Sequence, residues 1–272
     1  MRFLVSGILS ASVFAVAANA ADLGAPAYGG YKDTPALWTG FYIGADAGGM
    51  WSQTNNNGWT PGCSTDPLNF QCFGEFPITG NMAGKGVSTG VHFGYNRQFV
   101  PSYVLGVEGD WSWTNTKSSL SQTWISTDPV AHPGGIRPGA ATSLSSQEDW
   151  ISTVRARFGY VLTPSTMVYA TGGAAWAQVN NSALAHNEAY SYVSTASTTR
   201  VVPGWVVGAG IEVALGSNWS LRGEYLHYDL QTSNSAYNEI ACCGGGAVLF
   251  RSNYTWGNTT IESVRGGLSY KF

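Results

Sequence analysis

The sequence predicts an all-β fold: an eight-stranded antiparallel up-and-down transmembrane β-barrel with four long outer loops and short turns at the opposite end. Three observations lead to this prediction. Apolar and polar residues alternate along eight segments, and a period of two is typical of strands with unlike faces. Long polar stretches and short turns join these segments alternately, as in membrane barrels. The composition, with 35 Gly, 11 Trp and 14 Tyr but only 11% charged residues, suits a β-protein with aromatic belts.

The amino-terminal part is predicted to direct export of the chain and then to be removed. A short basic start precedes an apolar stretch that ends in Ala18-Asn19-Ala20, which is typical of a secretory signal peptide with an A-x-A cleavage site. We therefore assign residues 1–20 to the signal peptide, 21–37 to a flexible periplasmic leader and 38–272 to the barrel. No later run of about 18 apolar residues follows, so a membrane-spanning role requires a closed barrel. The net charge of −3 argues against a nucleic-acid partner.

The strands follow in order from Trp38, where Phe41 and Ile43 alternate with Tyr42 and Asp46. The fifth strand is the weakest, because residues 171–175 are small on both faces. Long polar loops are predicted at about residues 52–85, 115–146, 180–199 and 231–258, and short turns at 100–102, 163–165 and 216–218. With both termini in the periplasm, the short turns lie on that side and the long loops outside.

Most charged residues in the strands share the face opposite the apolar one. An Arg or Lys on the lipid face near the midplane costs about 2–4 kcal/mol, so these charges are predicted to line the lumen. Arg97, Asp229 and Glu262 are exceptions near strand ends, where the cost falls toward zero. The predicted lumen residues are Asp46, Glu108, Asp110, Arg155, Arg157, Glu212, Arg222, Glu224 and Arg265, with Lys271 on the same face at the end of the last strand.

Two interpretations of this lumen remain open. An eight-stranded barrel is just wide enough for side chains to fill it, and buried charges without partners are costly. The charges therefore form either a closed, paired polar plug or the lining of a narrow ion path.

The aromatic residues of the same register are predicted to form two belts at the membrane interfaces, where rings keep an apolar body and a wet edge. The inner belt comprises Phe41, Tyr95, Tyr160, Trp219, Tyr270 and Phe272, and the outer belt Trp51, Trp111, Trp113, Trp150 and Trp176.

Few residues indicate chemistry. The four cysteines, Cys63, Cys72, Cys242 and Cys243, allow three connectivities, and export favours disulfides. Cys63 pairs most simply with Cys72, and a link between the first and fourth loops is the alternative. His92, His132, His186 and His227 are scattered and lack metal-ligand spacing. Asp149 lies close in sequence to His132 and Glu148, but no catalytic motif surrounds them. We therefore expect no metal, no cofactor and no enzymatic activity.

Several of these segments resemble one known family, the small outer-membrane β-barrel proteins of Gram-negative bacteria, described as porin-like surface antigens. The matching segments are residues 38–44, 106–111, 152–160, 172–176, 204–212, 224–230 and the last strand.

The resemblance implies a location in the outer membrane and a structural role in the envelope, with loops exposed to host, phage or neighbouring proteins. It implies that Tyr270 and Phe272 form the signal recognised by the barrel-assembly machinery. A narrow diffusion channel is the alternative function, and haem binding through a loop histidine, which is reported for some relatives, is a further one. The oligomeric state, any solute and the loop ligand are left open by the sequence.

Overall fold

The fold is a barrel of long antiparallel strands. The computed structural model describes residues 37–63, 72–123, 140–187, 192–216, 218–232, 234–242 and 248–272. The predicted signal peptide and all of the leader except Leu37 lie outside the described residues. The strands are β1 (Gly40–Cys63), β2 (Cys72–Val100), β3 (Tyr103–Thr123), β4 (Ala140–Thr163), β5 (Thr166–Asn187), β6 (Tyr192–Ala214), β7 (Trp219–Leu230), β8 (Asn234–Cys242) and β9 (Val248–Lys271).

Eight strand positions close the ring, as the sequence predicts. Neighbours in sequence pair antiparallel from β1 to β7, and β9 pairs with both β7 and β1. Both β7 and β8 pair with β9, one after the other along its length, so they share one position. No helix among the described residues is long and apolar enough to cross a membrane.

The three predicted short turns are confirmed. Two residues separate β2 from β3, two separate β4 from β5, and four separate β6 from β7. The last of these contains Gly216, whose φ of +148° lies in a region that residues with a Cβ rarely adopt.

The weak fifth strand is confirmed as β5, and its small residues have a steric reason. Gly173 lies against β4, and a Cβ there would overlap the backbone carbonyl oxygen of Val154. The absence of a side chain therefore lets β5 lie close beside Arg155, its partner in the ladder.

The predicted loop boundaries are wrong. Residues 52–63 continue β1, residues 72–85 belong to β2, and the ends of the other loops are likewise strands. A membrane strand needs only about 9–11 residues, whereas β2 has 29, so the strands extend beyond the membrane on the outer side. There the outward face is polar and the inward face mixes polar with apolar residues, so the alternation that marks a strand in lipid is missing from the sequence.

Two bulges reverse the alternation in these outer extensions. Inward-facing residues of β4 are odd-numbered from Ile151 to Gly159 but even-numbered from Thr142 to Glu148, because the register shifts between Glu148 and Trp150. A similar shift in β9 lies between Trp256 and Thr259. A bulge adds one residue to a strand and turns the following side chains to the other face.

The outer surface of the ring carries the apolar band that the sequence predicts. Phe41, Phe93, Val107 and Phe158 are each more than half exposed, as side chains that face lipid must be. Aromatic rings group at both edges: Phe41 contacts Tyr95 with 4.7 Å between ring centroids, and at the outer edge Trp111 and Trp150 stack at 4.4 Å.

Candidate functional site

Nine charged side chains lie inside the barrel at the level of the apolar band, and we call them the charged layer. Strand alternation turns them all inward, and none is more than 6% exposed. They are the nine residues that the sequence predicts for the lumen: Asp46 on β1, Glu108 and Asp110 on β3, Arg155 and Arg157 on β4, Glu212 on β6, Arg222 and Glu224 on β7, and Arg265 on β9.

Arg155 is the centre of the charged layer. Its Nη1 donates to Glu224 Oε1 at 2.9 Å, and its Nη2 contacts Glu108 Oε1 and lies 3.1 Å from Asp110 Oδ2. Its Nε donates to Thr153 Oγ1 at 3.1 Å. The planar guanidinium has five N–H donors, so this one side chain holds three carboxylates and links β3 to β7 across the lumen.

Arg157 occupies the inner side of the layer. Its Nη2 donates to Glu212 Oε2 at 2.7 Å, and its Nη1 donates to the Tyr42 hydroxyl at 3.0 Å. The guanidinium carbon lies 3.8 Å from the centroid of the Tyr169 ring, a cation–π contact. Tyr42 in turn donates to Glu108 Oε2 at 2.8 Å, so two tyrosines join the network.

Arg222 and Arg265 meet at Asp46. Arg222 Nη2 lies 3.4 Å from Asp46 Oδ2, and Arg265 Nη1 lies 3.2 Å from Asp46 Oδ1. His92 is also part of this group, because its Nδ1 lies 2.9 Å from Asp46 Oδ2 and its Nε2 lies 2.8 Å from Ser269 Oγ. Both ring nitrogens are therefore used inside the protein.

All five carboxylates of the charged layer are paired within it, whereas Arg157 Nε and Arg222 Nε donate no hydrogen bond. Its five carboxylates face four guanidiniums, and every carboxylate lies within 3.5 Å of at least one of them. Breaking one buried pair leaves an uncompensated charge at a cost of about 3–5 kcal/mol. The arrangement therefore holds strands together and keeps no described carboxylate unpaired for a solute.

Apolar layers lie on both sides of the charged layer. On the periplasmic side Trp38, Val104, Met167 and Tyr169 pack together. A recess at this mouth has a volume of about 20 Å³, which holds about one water. On the outer side eleven buried side chains form the middle apolar layer: Met50, Ile151, Ala175, Ala177, Val179, Val202, Val206, Leu226, Tyr228, Leu230 and Ile261.

A second buried polar region, the outer polar layer, follows beyond the middle apolar layer. It comprises Ser52, Thr54, Asn56, Thr116, Ser118, Ser146, Glu148, Asn181, Thr232 and Thr259, none more than 6% exposed. An outer apolar layer, formed by Ile78, Met82, Leu144, Ala183, Tyr254 and Trp256, lies farther out. The described lumen thus alternates apolar and polar layers along its length.

Glu148 is the one carboxylate of the outer polar layer. It lies on the outer side of Trp150, beyond the part of β4 that faces lipid, and is fully buried. Neither of its carboxylate oxygens receives a hydrogen bond from another residue. Burial raises the pKa of Glu148 to about 7; a hydrogen bond from its own backbone N–H lowers the pKa, and the neighbouring Asp149 raises it.

The remaining candidate residues are dispersed. Cys63 and Cys72 are direct ladder partners in the β1–β2 pair, and Cys242 ends β8. His227 faces outward, 2.7 Å from Glu262 Oε1. The other positions from the sequence do not form one site: Cys243 and His132 lie outside the described residues, and the backbone of His186 lies opposite Ala141. Among the described residues, no three His, Cys, Asp or Glu side chains converge on a metal position.

Three residues of these layers were missed from the sequence. His92 and Tyr42 lie on the predicted inward faces, so alternation could have assigned them to the lumen, although not to their partners. The sequence gives Glu148 no role beyond its proximity to Asp149. Its inward orientation depends on the β4 bulge, for which the sequence gives no signal.

Comparison with known proteins agrees with this architecture. The family model described as "Outer membrane protein beta-barrel domain" matches residues 6–272. The chain belongs to this family. It is 32% identical over 267 residues, 96% of each chain, to the 31 kDa outer-membrane immunogenic protein of Brucella melitensis biotype 1, with the same figures for that of Brucella suis biovar 1.

Two solved structures are similar in fold only. Neisserial surface protein A is 15% identical, with 86% of this chain and 98% of that one covered and a TM-score of 0.33. OprG of Pseudomonas aeruginosa is 12% identical, with 86% and 96% covered and a TM-score of 0.41. Neither likeness bears on function. Family membership and the curated relatives place the protein in the outer membrane of a Gram-negative bacterium.

The carboxy-terminal residues of this family member lie at the periplasmic edge. The Phe272 side chain is 74% exposed, and its backbone N–H donates to Phe41 O at 2.9 Å. The Tyr270 ring contacts both Trp219 and Phe272, at centroid distances of 5.1 and 5.4 Å. Lys271 Nζ donates to Leu37 O. The exposed Phe272 ring is thus accessible from the periplasm at the seam where β9 meets β1.

Proposed function

We propose that the protein is a closed outer-membrane barrel with a structural role in the envelope and a surface-facing role outside it. The observation that carries this proposal is the filling of the lumen. Paired charges occupy its centre, and packed apolar side chains lie on either side of them. An ion would have to break several buried ion pairs to pass.

The outer extensions of the strands supply the surface-facing part of the proposal. They carry hydroxyl and amide side chains in outward pairs, such as Ser121 with Ser143 at 2.8 Å and Ser145 with Ser182 at 2.6 Å. Such a surface offers hydrogen bonds to host or phage molecules or to neighbouring proteins. The relatives' name, which describes an immunogenic protein, supports exposure at the surface and gives no support to a barrel enzyme.

The remaining proposed partners follow from the same surfaces. The apolar band contacts outer-membrane lipid, and the exposed carboxy-terminal Phe272 contacts the barrel-assembly machinery. Nucleic acid is not among them, because the chain is acidic overall.

Conductance in a planar bilayer tests this proposal against the narrow channel. We expect the refolded protein to give no discrete conductance steps, with its folding shown by heat-modifiable gel mobility. Arg157→Ala is the informative variant, because Arg157 bridges Glu212 and Tyr42 in the charged layer. Arg97→Ala, at an exposed position, is the matched control. Discrete steps in the wild type that Arg157→Ala enlarges and Arg97→Ala leaves unchanged would establish the channel instead.

A further inference from the structure

The outer polar layer contains buried oxygen atoms without partners. They are Ser52 Oγ, Asn56 Oδ1, Ser146 Oγ, both carboxylate oxygens of Glu148 and Asn181 Oδ1. In this layer the amide nitrogen of Asn181 is the one nitrogen that is also buried without a hydrogen-bond partner. Buried polar atoms are nearly always hydrogen-bonded, because an unpaired one costs about 1–3 kcal/mol and a charged one more. Unpaired oxygens in the same layer as a buried carboxylate therefore point to a bound polar species, either water or an ion.

Except for Asn56, which lies two inward positions farther out than Ser52 on β1, the residues that carry these atoms lie in one row or next to it. Ser52 is the ladder partner of Gly84, Gly84 of Ser118, Ser118 of Ser146 and Ser146 of Asn181. Directly opposite side chains on one face have Cβ atoms about 4.5–5.5 Å apart, so the row is continuous across five strands.

Gly84 leaves room for the Ser52 side chain within this row. A Cβ on Gly84 would lie 2.5 Å from Ser52 Oγ, so the Ser52 hydroxyl occupies the space above the glycine. Glu148 is the next inward position along β4 from Ser146, on the membrane side, and its ladder partners are Thr116 and Val179. The carboxylate therefore lies beside the row of hydroxyl and amide oxygens.

We propose that this layer binds a hard divalent cation of the Ca²⁺ type, with Glu148 as its one anionic ligand. Carboxylate, amide and hydroxyl oxygens, together with waters, are the ligands such cations take in proteins. One carboxylate among neutral oxygens gives a weak site, with a Kd of about 10⁻⁴–10⁻³ M as in extracellular modules. The cation balances a charge that the described residues leave unpaired.

The protonation of Glu148 is consistent with such a site. Burial raises the pKa of Glu148 to about 7, so without a cation the carboxyl gains a proton near neutrality. A bound cation favours the ionised form. Binding and protonation therefore compete at the same oxygens.

The proposed site lies beside a break in the backbone pairing of the ring. The polar row ends at Thr198 of β6, the ladder partner of Asn181. The β6–β7 ladder extends outward only to Gly204, and no described pairing joins residues 192–202 of β6 to β8. The ring therefore has no described backbone pairing between β6 and β8 at this height, and the proposal places the entry of the cation there.

Calorimetric titration of the full-length, refolded protein in detergent with CaCl₂ tests this site. Glu148→Gln keeps the volume of the side chain and removes its charge. Asp149→Asn is the matched control, because the Asp149 carboxylate already accepts hydrogen bonds from Gln147 and Gln178. We expect the wild type and Asp149→Asn to bind with similar affinity and Glu148→Gln to bind at least tenfold more weakly. All three proteins are checked for folding by heat-modifiable mobility.

Thermal unfolding provides the second measurement. A ligand that binds only the folded protein raises Tm as its concentration rises, so CaCl₂ is expected to raise the Tm of the wild type more than that of Glu148→Gln. Absence of wild-type binding up to about 10 mM, ten times the weakest Kd of such sites, would overturn the proposal. An equal effect in Glu148→Gln, or an equal Tm rise with NaCl at matched ionic strength, would overturn it as well.

Discussion

The barrel contains two buried polar regions that solve the same physical problem differently. In the charged layer each of five carboxylates lies within ion-pair distance of a guanidinium. In the outer polar layer, the single carboxylate, Glu148, has no partner from another residue. The middle apolar layer separates the two regions, and both are shielded from water.

The difference in pairing distinguishes buried charges that stabilise the fold from those that do not. A charge with several fixed partners contributes to the fold and cannot be removed without exposing those partners. A charge without a partner destabilises the fold unless something else neutralises it. The charged layer therefore holds the barrel together, whereas the outer polar layer retains a stability cost that a ligand or a proton relieves.

Removing Arg155 is the strongest way to break the charged layer. Arg155→Met leaves Glu108, Asp110 and Glu224 with fewer partners, so we expect the free energy of unfolding to fall by about 3–5 kcal/mol. Urea unfolding and refolding in lipid vesicles measures this change. The matched control is Arg97→Met at an exposed position, which should change stability by less than about 0.5 kcal/mol. Similar losses in the two variants would show that the buried ion pairs contribute nothing specific.

In the outer polar layer we expect removal of the charged side chain to stabilise the protein, whereas removal of Arg155 from the charged layer destabilises it. In the unfolded chain the pKa of a glutamate is about 4.3, and in the fold the pKa of Glu148 is about 7. The folded protein therefore binds this proton more tightly, and stability falls as pH rises from about 4 to about 7. At about 1.4 kcal/mol per pH unit, the loss is about 4 kcal/mol. In calcium-free buffer, Glu148→Gln should match the wild type at pH 4 and exceed it by about this amount at pH 8.

The groups around Glu148 support this assignment of the pH dependence. Its ladder partners, Thr116 on β3 and Val179 on β5, do not titrate. The charged residues next to these positions are Asp149, which is adjacent in sequence, Lys117, which follows Thr116 on β3, and Arg200, which is the ladder partner of Val179. Subtracting the Glu148→Gln curve from that of the wild type isolates the contribution of Glu148. A difference that is constant between pH 4 and pH 8 would contradict the prediction.

The sequence predicts the first region well because lipid imposes a strict pattern on it. Within the membrane, each strand must alternate apolar and polar side chains. The position of Arg155 or Glu224 in this alternation therefore decides whether its side chain faces the lumen or the lipid. The pattern also assigns His92 to the lumen. The pattern does not identify the contacts of His92 with Asp46 and Ser269, because those contacts depend on the stagger of the strands around the ring.

The outer polar layer cannot be predicted from the sequence, because its strands lie outside the membrane and lipid imposes no alternation on them. If the alternation of Arg155 and Arg157 continued unbroken, Glu148 would face outward, since it has the opposite parity. The bulge at the register shift between Glu148 and Trp150 turns it inward, and the bulge in β9 does the same for Trp256. The polar composition of these segments, which is typical of loops, conceals the strands that carry them.

The smallest effect concerns the tip of the outer extension formed by β1 and β2. Cys63 and Cys72 are direct ladder partners, and opposite Cα atoms in antiparallel pairs lie about 4.5–5.5 Å apart, within the range for a disulfide. Mass spectrometry of the unreduced protein is expected to find a peptide pair joined through these residues.

A disulfide that closes a loop this short stabilises the fold by about 2–3 kcal/mol in the chain-entropy account, and the stabilisation should be local. Cys63→Ser with Cys72→Ser should therefore speed proteolysis of the outer strands while leaving unfolding of the charged layer unchanged. A link from either residue to Cys242 would instead join β8 to this tip and restrain the unpaired side of the outer polar layer.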